Sequence, residues 1–253
     1  MLKIRIIPCL LLRNESLVKT VQFKKFGYIG DPANTCRIFN ELEVDELAFL
    51  DITASREKRE PNYEILQDIA DECFMPLSYG GGIRSVQAAE RIFNIGIEKI
   101  VLNTYPFENP NIITDLANAF GSQSVIMAID VRKNLFGKYQ VHSLSGTVNN
   151  KRSSVEWAKE VAERGAGEIL LTSIDRDGTW KGFDIELTLQ VASAVSIPVI
   201  ANGGAGCVDH IGAVVKEGRA SAAALGSMVV YQKQGMGVLV NFPDEAHLKA
   251  VIE

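Results

Sequence analysis

Asp130 ends an apolar run, Val125-Ile126-Met127-Ala128-Ile129, with a carboxylate that could transfer protons. A matching run near the start of the chain, Ile4-Arg5-Ile6-Ile7-Pro8-Cys9-Leu10, ends instead in Leu11. Two aspartates at equivalent strand ends could serve as general acid and general base. Leucine cannot transfer a proton, so the reading of the chain turns on whether the two positions are equivalent.

Glycine turns form a second set. Gly81-Gly82 and Gly203-Gly204 each follow an apolar run, and Asn103-Thr104 and Gly226-Ser227 lie at the end of the next run in each case. Backbone N–H groups can approach an anion closely at such turns, and a following helix start adds a favourable dipole. One glycine pair would read equally well as a tight turn. Two copies in register, each with a polar partner, favour a pair of phosphate cradles. Asp51, in Leu50-Asp51-Ile52-Thr53, and Thr172, Asp177 and Gly178, between Leu171 and Thr179, are further candidates to meet substrate hydroxyls or ring nitrogens. For Asp175 a structural role, capping or pairing with Arg176, is an equal alternative.

Arg5, Glu46, Lys99 and Glu168 form a third set, each at or near the start of an apolar run. Burying four isolated charges would be very costly, so they are expected to pair, as a salt-bridge ring closing one end of the fold.

These residues need elements to hold them. Short apolar runs predict eight strands: Ile4 to Leu10, Glu46 to Asp51, Met75 to Tyr79, Lys99 to Asn103, Ser124 to Ile129, Glu168 to Ser173, Pro198 to Ala201 and Ala222 to Leu225. Helix starts are legible between them: Asp31-Pro32 before a helix to about Glu43, Ser85 before Val86 to Ile95, Asn109-Pro110 before Asn111 to Phe120, and Ser153-Ser154-Val155-Glu156 as a capping box opening Trp157 to Arg164. Strands apolar on both faces and joined by helices imply a parallel sheet, and eight such units in 253 residues fit a (β/α)8 TIM barrel. An open doubly wound sheet is the alternative. No linker or composition shift divides residues 1–253, so one domain is expected. The glycine turns and their partners recur at an offset of half the chain, which predicts two half-barrels and maps Leu11 onto Asp130.

Composition sets outer bounds. A net charge of −5 with scattered basic residues argues against nucleic-acid binding. No apolar stretch reaches the roughly 20 residues of a membrane span, and the N-terminus lacks signal-peptide features, so a cytoplasmic protein is expected. Cys9, Cys36, Cys73 and Cys207 match no zinc or redox spacing and read as small buried residues, Cys9 alone standing near a strand end. Neither a metal nor a cofactor is expected.

At this level the chain resembles a known family. Ile6 to Leu10, Glu46 to Ser55, Gly80 to Ile83, Phe120 to Gln123, Gly165 to Thr179 and Gly203 to Gly206 are similar, in register over nearly the whole chain, to the HisF cyclase subunit of imidazole glycerol phosphate synthase. The resemblance implies a barrel that receives ammonia from a HisH-like glutaminase docked at its floor, through a gate matching Arg5, Glu46, Lys99 and Glu168. It implies two phosphate cradles for the substrate and a lysine on a flexible first loop, matched by Lys19. It also implies a catalytic pair of aspartates, of which Asp130 matches one and Leu11 replaces the other. Thr20 stands where a glycine usually follows the lysine, and the segment from Val240 lacks the usual long final helix.

The patterns Pro8-Cys9-Leu10-Leu11-Leu12, Pro61-Asn62-Tyr63-Glu64 and Glu72-Cys73-Phe74-Met75-Pro76 resemble a subgroup of HisF-like proteins linked to bacterial surface polysaccharides. For that subgroup the implied role is to release ammonia to a third enzyme, a sugar amidotransferase that turns an acetamido group into an acetamidino group. Three readings follow: an ammonia-conducting subunit, a working cyclase in which another carboxylate such as Asp51 serves, and a silent scaffold that activates a glutaminase.

Overall fold

The computed structural model describes residues 4–253. In chain order the strands are β1 (Arg5–Arg13), β2 (Ser16–Val21), β3 (Lys24–Gly30), β4 (Leu47–Asp51), β5 (Leu77–Gly80), β6 (Lys99–Leu102), β7 (Val125–Lys133), β8 (Tyr139–Ser143), β9 (Val148–Ser153), β10 (Glu168–Ser173), β11 (Val199–Asn202) and β12 (Ala222–Leu225). The helices are α1 (Pro32–Glu41), α2 (Tyr63–Asp71), α3 (Val86–Ile95), α4 (Asn111–Phe120), α5 (Ser154–Glu163), α6 (Ile185–Ala192), α7 (Val208–Lys216), α8 (Ser227–Val230) and α9 (Glu245–Ile252). Eight parallel strands run β1-β4-β5-β6-β7-β10-β11-β12, and β12 pairs back to β1. The sheet is a closed (β/α)8 barrel. Closure leaves no edge among these eight strands, and the helices cover the outer face.

Alternation along the strands divides the apolar residues into two cores. On β1, Ile6, Leu10 and Leu12 pack outward against the helices, while Ile7 and Cys9 point into the barrel. Ile7, Ala48, Val101, Ile126, Leu170 and Ile200 fill the interior between floor and mouth.

Register establishes the two-fold repeat. Leu225 of β12 pairs with Pro8, and Leu102 of β6 pairs with Met127. Three residues on from each partner stand Leu11 and Asp130. On the other flank Leu11 pairs with Leu50 and Asp130 with Thr172. Leu11 and Asp130 therefore hold equivalent positions in the two halves.

Several sequence expectations need correction. β1 and β7 each run past the barrel rim, to Arg13 and Lys133, and each is joined antiparallel to a hairpin, β2–β3 and β8–β9. The four hairpin strands were not anticipated because Lys, Asn and Gln interrupt their apolar alternation. Asp31 and Ser85 do cap α1 and α3, accepting from the backbone N–H of Asn34 (2.8 Å) and Ala88 (3.1 Å). The capping box before α5 does not form: Ser153 is held in β9 by pairing with Gln140, its side chain makes no cap bond, and the helix starts at Ser154. The chain ends in a short helix, α9, which packs on α7 where Gly212 leaves room for Val251.

Candidate active site at the barrel mouth

The C-terminal ends of the eight strands surround a cavity with about 1120 Å³ of empty space, counting its open side. Leu11 and Asp130 face into it from opposite halves, with Asp51, Asn103, Thr104 and Thr172 around them. Barrel enzymes place their chemistry at this end.

Asp130 is half-buried, and Asn103 Nδ2 donates to its Oδ2 (3.1 Å). Burial pushes its carboxyl up to about 7, and the charge of Asp177 adds to that, while hydrogen bonds from Thr172 and Asn103 oppose it. A carboxyl that titrates near neutrality can both give and take a proton. Leu11 offers only apolar surface from the equivalent point.

Asp51 is brought to the mouth, but its oxygens are already engaged. Oδ1 accepts from the backbone N–H of Thr53 (2.9 Å) and Ala54 (3.0 Å), and Oδ2 pairs with Arg59 (3.1 Å). Asp175 pairs with Arg132 (3.7 Å) and accepts from the Lys133 backbone N–H (2.9 Å), fastening β7 to the loop after β10. Its partner is therefore not Arg176.

The two glycine turns lie on opposite sides of the mouth. Gly81 and Gly82 line the main cavity together with Asn103 and Thr104. Gly203, Gly204, Gly226 and Ser227 line an adjoining recess, with Gly178 in its wall, that shares Lys19, Asp177 and Asn202 with the main cavity. Each set is followed by a short helical turn, Tyr105–Phe107 in one half and α8 in the other. Gly204 has a φ of +109°, and a side chain there would run into the Gly182 carbonyl.

Lys19 is not on an irregular loop but on β2, and it is 8% exposed. Its Nζ donates to Asp177 Oδ1 (3.1 Å), while Thr20 Oγ1 donates to Asp177 Oδ2 (2.8 Å) and Gln22 N to the Asp177 carbonyl (2.9 Å). The first hairpin is thus folded over the mouth, with Phe23 at its tip in the cavity wall. Phe23 went unnoticed in the sequence, and Thr20 stood out there only as a replacement for a glycine, because nothing local marks a hairpin that closes on a distant loop. Asn202 was also passed over, although its place directly before Gly203-Gly204 could have revealed it. Its Nδ2 donates to Thr172 Oγ1 (3.1 Å) at the mouth. Cys9 lies beneath, its thiol pushed up to about 12 by burial, and is no nucleophile.

At the opposite end the four strand-start charges form one network. Arg5 pairs with Glu46 (2.6 Å) and Glu168 (2.9 Å), and Lys99 pairs with Glu46 (3.2 Å) and Glu168 (3.0 Å). Burial alone would lower the Arg5 guanidinium, but hydrogen bonds and attraction from Glu168 and Glu46 hold it above its ordinary value. Each cation bridges both anions, so the ring closes the barrel floor.

A two-fold (β/α)8 barrel with paired glycine turns around a half-buried aspartate is the class that fold and site define. The family model described as histidine biosynthesis protein matches residues 5–235. A Pseudomonas aeruginosa protein provisionally named imidazole glycerol phosphate synthase subunit hisF2 is 50% identical over 244 residues, covering 96% of this chain and 97% of the relative. A Vibrio vulnificus protein provisionally named subunit hisF3 of that synthase is 46% identical over 254 residues, covering all of this chain and 98% of the relative. The imidazole glycerol phosphate synthase subunit HisF of Alkaliphilus metalliredigens is 44% identical over 229 residues, covering 90% of this chain and 91% of its own. The chain belongs to the histidine biosynthesis protein family, as a HisF-like subunit of the imidazole glycerol phosphate synthase type. Among the described residues no helix is long and apolar enough to cross a membrane.

Proposed function

We propose that this barrel takes up ammonia from a HisH-like glutaminase partner at its floor and conducts it to the mouth for a sugar amidotransferase, without closing an imidazole ring itself. The observation that carries this reading is Leu11 in the position equivalent to Asp130. A ring closure that needs two proton-transfer groups loses one of them, typically at a cost of about a hundred- to ten-thousand-fold in rate. The floor ring is complete, as a gate that still passes ammonia requires. The interior above it is lined by apolar residues, which favours a neutral molecule over ammonium. The glycine turns remain available for phosphate or a phosphorylated ligand.

A second reading, a working cyclase on a bis-phosphorylated ribulosyl substrate, draws support from Asp130, which titrates near neutrality, and from both glycine turns. The purified chain assayed with that substrate and ammonium salt separates the two. We expect turnover at most about a hundredth of that of a HisF with both aspartates, recovered in part by Leu11→Asp. Full turnover in the unmodified chain would refute the proposal.

A further inference from the structure

Outside the barrel mouth, the first hairpin, the loop after β10 and the segment after α8 enclose a second, open groove. It shares Lys19, Gly178 and Ser227 with the recess of the second glycine turn, so it lies against the outer wall of that recess. No carboxylate lines it, although the chain carries 31 acidic residues against 26 basic ones. Lys25 and Lys181 are exposed in its wall, and neither has a carboxylate partner among the described residues. Two unpaired cations in an acid-free wall favour an anionic occupant.

Three aromatic residues, Phe26, Trp180 and Tyr231, share that wall. Phe26 is 42% exposed and has Arg13 over its ring at 4.3 Å. The Tyr231 hydroxyl sits 3.2 Å from the point where Gly27 would carry a side chain, and the Tyr231 backbone is fixed by a bridge to Val238. Trp180 is held at a φ of +64°, a left-handed conformation that a bulky residue adopts at a cost of about 1–3 kcal/mol. Gly206 approaches the Trp180 backbone closely, and Arg176 Nη1 donates to the neighbouring Lys181 carbonyl (3.3 Å). Packing therefore overrules the backbone preference of Trp180 and leaves it half-exposed in the groove wall.

Planar rings beside unpaired lysines are the features that recognise a flat base carrying phosphates. The geometry points to a nucleoside diphosphate site in this groove, with the base against Trp180 and Tyr231 and the phosphates at Lys25 and Lys181. Gln22 and Gln234 also line the groove, and the Gln22 Oε1, free among the described residues, and the Gln234 amide are groups suited to ribose hydroxyls. The site does not depend on how the barrel mouth is read, since it uses neither Asp130 nor the floor ring.

Tryptophan fluorescence provides the test. The chain has two tryptophans, and Trp157 is 1% exposed and stacked on Phe107, so a ligand-induced change reports Trp180. Titration of the whole protein with UDP or ADP is expected to give a saturable change, with uridine alone and pyrophosphate alone each binding at least about tenfold more weakly. The Lys25→Ala, Lys181→Ala double variant, altered only at exposed side chains, is expected to weaken the diphosphate at least about tenfold. The absence of a saturable change up to about 5 mM diphosphate would overturn the site. Binding that survives the double variant and is displaced by inorganic phosphate would also overturn it, since the ligand would then sit in the mouth.

Discussion

Lys19 Nζ lies 3.1 Å from Asp177 Oδ1, an ion pair that joins the hairpin after β1 to the loop after β10. Both side chains are nearly buried, at 9% and 7% exposed. The other oxygen of Asp177 takes the Thr20 hydroxyl and, more weakly, the Phe23 backbone N–H (3.4 Å). One carboxylate therefore fastens the hairpin over the mouth. Asp177→Ala strands Lys19 as a buried cation, so a loss of about 3 kcal/mol in urea unfolding is expected. Hydrogen exchange at Phe23 should quicken with it. Unchanged exchange there would mean that the hairpin is held by something else.

Asp130 makes stability depend on pH. Its carboxyl titrates near 7 in the folded chain, against an ordinary value near 4 when unfolded. The folded state therefore binds the proton more tightly. The stabilising contribution is fully present below about pH 4 and is lost as pH rises through 7. Asp130→Asn removes this dependence. The variant should gain roughly 2–4 kcal/mol on the unmodified chain at pH 8, the gap closing toward pH 4. Equal stabilities at both ends of that range, measured by denaturant unfolding, would show that Asp130 is not held protonated.

Much of this site was legible because its residues sit at the ends of strongly apolar strands. Leu11, Asp130, Asn103 and the glycine turns could be found by counting along such runs, and the half-chain offset mapped Leu11 onto Asp130, an equivalence that the pairing of Leu11 with Leu50 and of Asp130 with Thr172 bears out. The floor ring was likewise expected from the cost of burying charge. The hairpins were not: β2 and the turn after it are fastened by Asp177, 157 residues along the chain from Thr20. Nor could the sequence say that Asp51 would be engaged by Thr53, Ala54 and Arg59, which is a matter of side-chain geometry.

Gly204 tests how far the second glycine turn depends on its backbone. A methyl group there would strike the Gly182 carbonyl and lie 3.0 Å from the Arg176 side chain, at a φ of +109°. Strain and collision act together, so Gly204→Ala is expected to destabilise by about 2–4 kcal/mol. The Gly182 N–H, which donates to the Gly204 carbonyl (2.8 Å), would also be displaced. The loop carrying Trp180 and Lys181 would then move with it. A variant with unchanged thermal unfolding would show that this turn tolerates a side chain.

Lys99→Ala opens the floor ring and tests its role as a gate. Lys99 bridges Glu46 and Glu168, whose side chains are 3% and 11% exposed. Without it the two carboxylates share Arg5 alone, and an uncompensated charge remains in the barrel floor. Losing one member of such a buried network costs about 3–5 kcal/mol. Denaturant unfolding of the variant beside the unmodified chain measures that loss. In the proposed complex with a glutaminase, the same variant should admit solvent at the floor and lower the share of glutamine-derived nitrogen reaching the mouth. Full nitrogen transfer in a destabilised variant would leave the ring a structural clamp and end its assignment as a gate.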